Sequence, residues 1–102
     1  MADPDLFYEL SAEAEADLEK IFDYTENEFG IDQAVRYVSA FDDAFEQLVE
    51  NPQIGHERKE IRQGLRSVLK DKHIVFYRTL KDRIRIVRIL HGSRDLPKYL
   101  SD

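Results

Sequence analysis

Cysteine is absent from the 102 residues, which excludes a disulfide framework, a thiolate zinc site and a cysteine nucleophile. No apolar run approaches the roughly 18 residues that a membrane span needs. The N-terminus carries three acids among its first nine residues, with no basic n-region or apolar h-region of a secretory signal. Glycine is scarce and scattered, at Gly30, Gly55, Gly64 and Gly92, so no phosphate-cradling loop is present and nucleotide-dependent chemistry is not expected. His56, His73 and His91 form no His-x-His or His-x-x-x-His pair, and a metal site would need a tertiary coincidence. Ser11, Ser39, Ser67 and Ser93 have no nucleophile-elbow context. Together these absences point to a cytoplasmic protein with no membrane segment, no metal and no cofactor.

What is present suits a folded chain: 42% of residues are hydrophobic and 35% charged, too apolar for global disorder. The length allows one core, hence a single domain over residues 1–102, with residues 1–4 and 97–102 expected as flexible ends. The net charge of −6 conceals a division. Residues 1–50 hold fifteen acids against two bases, and residues 51–102 hold thirteen bases against six acids. A sequence pI near 5.0 opposes indiscriminate nucleic-acid binding, and no direct sequence-specific binding is expected, yet a basic face on an acidic body can select an acidic partner or a local phosphate surface.

The hydrophobic pattern predicts a short strand around residues 6–10, then a helix capped by Ser11 and stopped by Gly30. A second helix, with Asp32 as its expected cap, carries Ala34, Val38, Phe41, Phe45 and Leu48 as a buried stripe and ends before Pro52. Residues 52–64 read as a polar, exposed connection. Runs at 65–69, 74–78 and 84–90 then predict three strands of an antiparallel meander. The order is β-α-α-β-β-β, an α+β fold with a helical hairpin packed on one face of a small, mainly antiparallel sheet.

The acids of the first helix, Glu13, Glu15, Asp17, Glu19, Asp23, Glu26 and Glu28, read as a solvated face, because nothing in their pattern buries or couples them. In the last strand Ile84, Ile86, Arg88 and Leu90 share one parity, which predicts Ile84, Ile86 and Leu90 in the core of a central strand. The arginines of the second half, Arg66, Arg78, Arg85, Arg88 and Arg94 among them, either pair with carboxylates inside the fold or present planar forks to an acidic partner or phosphate. His91 with Arg94, Asp95 and Tyr99 is the cluster that most resembles catalytic parts; its alternative is a hydrogen-bonded corner, His91 with Asp95, where the chain leaves the strand.

Four pieces in order, Asn51-Pro52-x-Ile54-Gly55, Glu60-Ile61-Arg62-x-Gly64-Leu65-Arg66, His73-Ile74-Val75-Phe76-Tyr77-Arg78 and Ile86-Val87-Arg88-Ile89-Leu90-His91-Gly92-x-x-Asp95, together with Ala14-x-x-Asp17-Leu18, resemble the ParE toxins of bacterial ParDE toxin–antitoxin modules, over residues 7–96. The resemblance implies the RelE/ParE-like fold and a toxin that inhibits DNA gyrase, stops growth, and is neutralised in a hetero-oligomer with a ParD-like antitoxin. On that reading no residue is catalytic, and the charge division places target binding on the basic sheet face and C-terminal segment, through Arg66, Arg78, Arg85, Arg88 and Arg94. Within the same superfamily, RelE is a ribosome-dependent messenger-RNA endonuclease, and that alternative would use Arg66, Arg88, His91 and Tyr99. A third alternative is a non-toxic relative that only binds antitoxin.

Overall fold

A computed structural model describes residues 6–92, so the expectations for the two chain ends, and for Arg94, Asp95 and Tyr99, fall outside the described residues. The elements are β1 (Phe7–Leu10), α1 (Ala12–Phe29), α2 (Ile31–Glu50), β2 (His56–Glu57), β3 (Leu65–Lys70), β4 (His73–Thr79) and β5 (Arg83–His91). They form one sheet in the order β1-β5-β4-β3-β2, with the two helices packed on one face. Strands β2 to β5 pair antiparallel, and β1 pairs parallel with β5, because the helical hairpin carries the chain back across the sheet before the meander begins.

Ser11 begins α1 and ends the β1–β5 ladder at once. Its N–H donates to the Ile86 carbonyl at 2.9 Å, its hydroxyl donates to the Val87 carbonyl at 2.7 Å, and its Oγ accepts from the Ala14 N–H at 3.0 Å. At the other end of α1, Gly30 has φ +93°, donates to the Glu26 carbonyl and accepts from the Ala34 N–H. Since α2 starts at Ile31, Asp32 lies inside its first turn and does not cap it. Proximity of the two helices, joined by one residue, leaves Gly30 in the flanking position that Asp32 was expected to take.

The stripes Ala14, Ile21 and Phe41, Phe45, Leu48 bury against Val75, Tyr77, Ile84, Ile86 and Ile89 to form the main core. A smaller cluster, Leu65, Phe76 and Leu90 with Ile61, Ile74 and Val87, occupies the opposite face of the sheet. Leu90 therefore does not join Ile84 and Ile86, as strict alternation predicts. In the β4–β5 ladder Tyr77 faces Ile86 and Phe76 faces Arg88, leaving Val87 as an extra residue in a bulge. One inserted residue exchanges the two faces beyond it, so Ile89 enters the main core and Leu90 the second cluster.

The 52–64 connection is not simply exposed. Gly55 is buried, donating its N–H to Tyr77 Oη at 2.9 Å, while that hydroxyl donates to the Pro52 carbonyl. A Cβ at Gly55 would lie 2.5 Å from Tyr77 Oη and 2.7 Å from the Ser67 carbonyl, so this approach requires glycine. Farther along, Arg58 donates its N–H to the Leu65 carbonyl and sets its guanidinium 5.6 Å from the centroid of the Phe76 ring, covering part of the second cluster.

Candidate functional site

Strand pairing separates the arginines by what each can reach. On β5, which β1 flanks only as far as Ile86, the next stretch of edge is covered by α1. Asp17 accepts there from the Ile89 N–H at 2.9 Å and grips Arg88 with both oxygens, Oδ2 from Nε at 2.8 Å and Oδ1 from Nη2 at 2.9 Å. Its side chain is 8% exposed, so it is not part of the solvated acidic face that helical spacing suggests. A carboxylate is stable in that position because it receives three donors, two of them from a cation. The feature that distinguishes Asp17 in the sequence is its spacing from Ala14 and Ile21 on the buried stripe. Residue type alone gives the opposite reading.

Arg66, opposite Tyr77 on the helix side of β3, bonds the Gly55 carbonyl at 2.7 Å and Glu57 Oε1 at 3.2 Å, fixing the turn before β2. Arg83 and Arg85 share Glu9 Oε1, from Nε at 2.7 Å and Nη1 at 2.9 Å. The Arg83 hydrogen bond is the main cause that holds the Glu9 carboxyl below its usual range, with Arg85 adding to it against the opposing effect of burial, and the Arg83 guanidinium is raised in turn by Glu9.

A row of side chains crosses the sheet face remote from the helices: Glu9 on β1, Arg85 on β5, Arg78 on β4 and Leu65 on β3, each directly opposite the next. Arg78 lies along Gly64, where a Cβ would meet its Nη2 at 3.4 Å and its Nε at 3.8 Å. Phe7 and Arg83 extend the same face at its β1 end. The result is a surface with arginines along one side and the second apolar cluster beside them.

His91 closes the far end of β5 opposite His73, with ring centroids 5.5 Å apart. Tyr37 Oη lies 3.0 Å from His73 Nδ1, and Phe41 stacks edge-on at 5.9 Å. Burial, followed by the adjacent His91, lowers the His73 pKa, and burial with Asp71 raises that of Tyr37. The corner at His91 is thus built with His73, which the sequence offers only as an isolated histidine and the head of one motif piece, and with Tyr37, which it does not single out, since the ring contacts depend on the β4–β5 register. Arg66 sits two strands from Arg88 and His91, roughly 10 Å at ordinary strand spacing. The structure does not bring these three residues to one point. Among the described residues no group of three or more His, Asp or Glu side chains is placed to hold a metal ion. A shallow cleft of about 180 Å³ lies between α2 and β3, lined by Ala40, Asp43, Ala44, Leu48, Val68 and Leu69.

Comparison with known proteins bears on what such a surface serves. The family model described as the ParE toxin of the type II toxin–antitoxin system parDE matches residues 8–96. Toxin ParE1 of Mycobacterium tuberculosis is 39% identical over 94 residues, covering 91% of this chain and 96% of that protein. Toxin ParE1 of Caulobacter vibrioides is 36% identical over 93 residues, covering 91% and 96%. Among solved structures, a chain of the chromosomal ParDE system from P. aeruginosa superposes with a TM-score of 0.71 at 22% identity, covering 85% of this chain and 94% of that one, a likeness of fold.

Proposed function

This chain belongs to the ParE toxin family of type II toxin–antitoxin systems, and from that membership we propose that it stops growth by inhibiting DNA gyrase and is neutralised by a ParD-like antitoxin. The observation that carries the reading is the family match over residues 8–96, which takes in both helices and every strand of the meander. On this reading the whole chain acts as one toxin domain in the cytoplasm, where its target is, and forms a hetero-oligomer with its antitoxin. No helix among the described residues is long and apolar enough to cross a membrane.

Charge supports inhibition by docking. Residues 12–50, the helical layer, hold twelve acids against two bases, while residues 51–92, which supply β2 to β5, hold eleven bases against four acids. An acidic target or antitoxin segment would be drawn to the sheet side and turned away from the helices. Arg78 and Arg85 are the docking charges we favour within that layer, together with Arg94, while Arg66 and Arg88 serve the fold through Glu57 and Asp17. A nuclease of the RelE type would need Arg66, Arg88, His91 and Tyr99 to converge on one phosphate. The deciding experiment is gyrase supercoiling with purified protein, with and without antitoxin. We expect inhibition that antitoxin reverses; unchanged supercoiling with codon-dependent cleavage of messenger RNA on ribosomes would establish the nuclease instead.

A further inference from the structure

Of the arginines in the described residues, Arg78 alone forms no hydrogen bond or ion pair with the protein. It is half-buried, with its guanidinium beside Gly64, and faces Arg85 across the β4–β5 ladder. Like charges directly opposite on neighbouring strands repel, and a partly desolvated guanidinium without an acceptor is a costly arrangement. The other side of the same row shows what relieves it. Glu9, opposite Arg85, places a single carboxylate oxygen between Arg83 and Arg85. The row therefore reads anion, cation, cation, apolar, with one cation in excess.

We propose that Arg78, with Arg85 beside it, is a recognition site for a carboxylate side chain on an acidic, aliphatic segment of a partner protein. Such a carboxylate would do for Arg78 what Glu9 does for Arg85, and would neutralise the facing pair. The planar fork offers a carboxylate two parallel N–H donors, and the bare Cα of Gly64 leaves the guanidinium room beside the chain. Aliphatic side chains on the same segment would meet half-buried Val87, two residues beyond Arg85 on β5, and, farther along the sheet, half-buried Ile74, both packed against the second cluster. A peptide fits better than a nucleic acid because the apolar neighbours beside the arginines offer phosphates nothing. The inference rests on the reading that a partner protein engages the basic sheet layer; it specifies the group recognised and is independent of whether that partner is antitoxin or target.

The test is a titration of the full chain, labelled with 15N at arginine, following the side-chain Nε–H resonances. The probes are a peptide alternating Glu and Leu, its Gln-for-Glu counterpart, and a short DNA duplex. We expect the Glu peptide alone to shift the Arg78 and Arg85 resonances to saturation. Arg78→Gln should weaken that binding about tenfold, the usual effect of losing a charge-assisted hydrogen bond, and Arg78→Lys should restore part of it. Lys20→Gln, on the helical layer, should leave it unchanged, and circular dichroism should show each variant folded. Equal shifts with the Gln peptide, no shift with either peptide, or tighter engagement of Arg78 by the duplex would overturn the proposal. Normal gyrase inhibition beside a failed titration sinks this inference alone. A successful titration beside unaffected gyrase removes the target assignment and leaves the site standing.

Discussion

Asp17 and Arg88 show how much of this fold depends on one buried ion pair, with side chains 8% and 20% exposed. Removing either partner strands a charge in the interior, so Arg88→Ala or Asp17→Ala should each cost about 3–5 kcal/mol of stability, measured as a lowered urea midpoint. An apolar pair such as Asp17→Leu with Arg88→Met should cost less than the two single changes together, because the uncompensated charge disappears. A variant at Arg88 that loses toxicity must therefore be shown to be folded before the loss is assigned to docking. His73 provides a second residue-scale expectation. Its pKa is lowered in the fold, chiefly by burial, so the unfolded chain binds its proton more readily once the pH drops below the ordinary value of 6.5. The contribution of neutral His73 is full above that value and is lost as pH falls toward the depressed folded one. Urea midpoints should fall over this window in the natural chain, and the fall should be smaller in His73→Gln; equal slopes in both proteins would rule out His73 as its source.

At the scale of elements, the start of α1 takes the place of a missing strand. β1 pairs with β5 only as far as Ile86, and beyond it Ser11 receives no strand partner but bonds the Val87 carbonyl, while Asp17 satisfies the Ile89 N–H. A helix end can cover a sheet edge in this way only if its polar side chains match the edge's free groups. Ser11→Ala should therefore cost more than the usual cap, about 1–2 kcal/mol by thermal melting, because it also frees the Val87 carbonyl. Asp17→Asn should raise amide exchange at Ile89 more than at Ile84, whose β5 neighbours remain paired with β1. The Ser11 cap and the Gly30 stop were legible in the sequence, since each is a local backbone requirement. The non-capping Asp32 was not, because two adjoining helices share one flanking glycine and the local rule sees each helix separately.

For the whole molecule, the division of charge along the chain becomes a division between layers, with the acidic helices on one side and the basic strands on the other. Such a dipolar body should associate with an acidic partner at a rate that falls with salt. Raising ionic strength from about 0.05 M to 0.5 M shortens the Debye length from roughly 14 Å to 4 Å, and should slow association at least several-fold by stopped-flow while changing dissociation far less. An association rate indifferent to salt would mean that the layered charge does not steer binding. The split by sequence halves was enough to anticipate this field, because α1 and α2 both fall in the first half and β2 to β5 all fall in the second.

By itself the sequence determined the α+β order, the hairpin stripes, the basic second half and the family resemblance, all of which rest on local periodicity, composition or ordered motifs. Only the tertiary structure decided the parallel pairing of β1 with β5, the burial of Asp17, the faces taken by Ile89 and Leu90, and which of the described arginines lacks a partner. Each of these depends on a register or on a contact between residues far apart in the chain. The bulge at Val87 is the clearest instance: one residue without an opposite, invisible to period-two reading, reassigns every side chain beyond it.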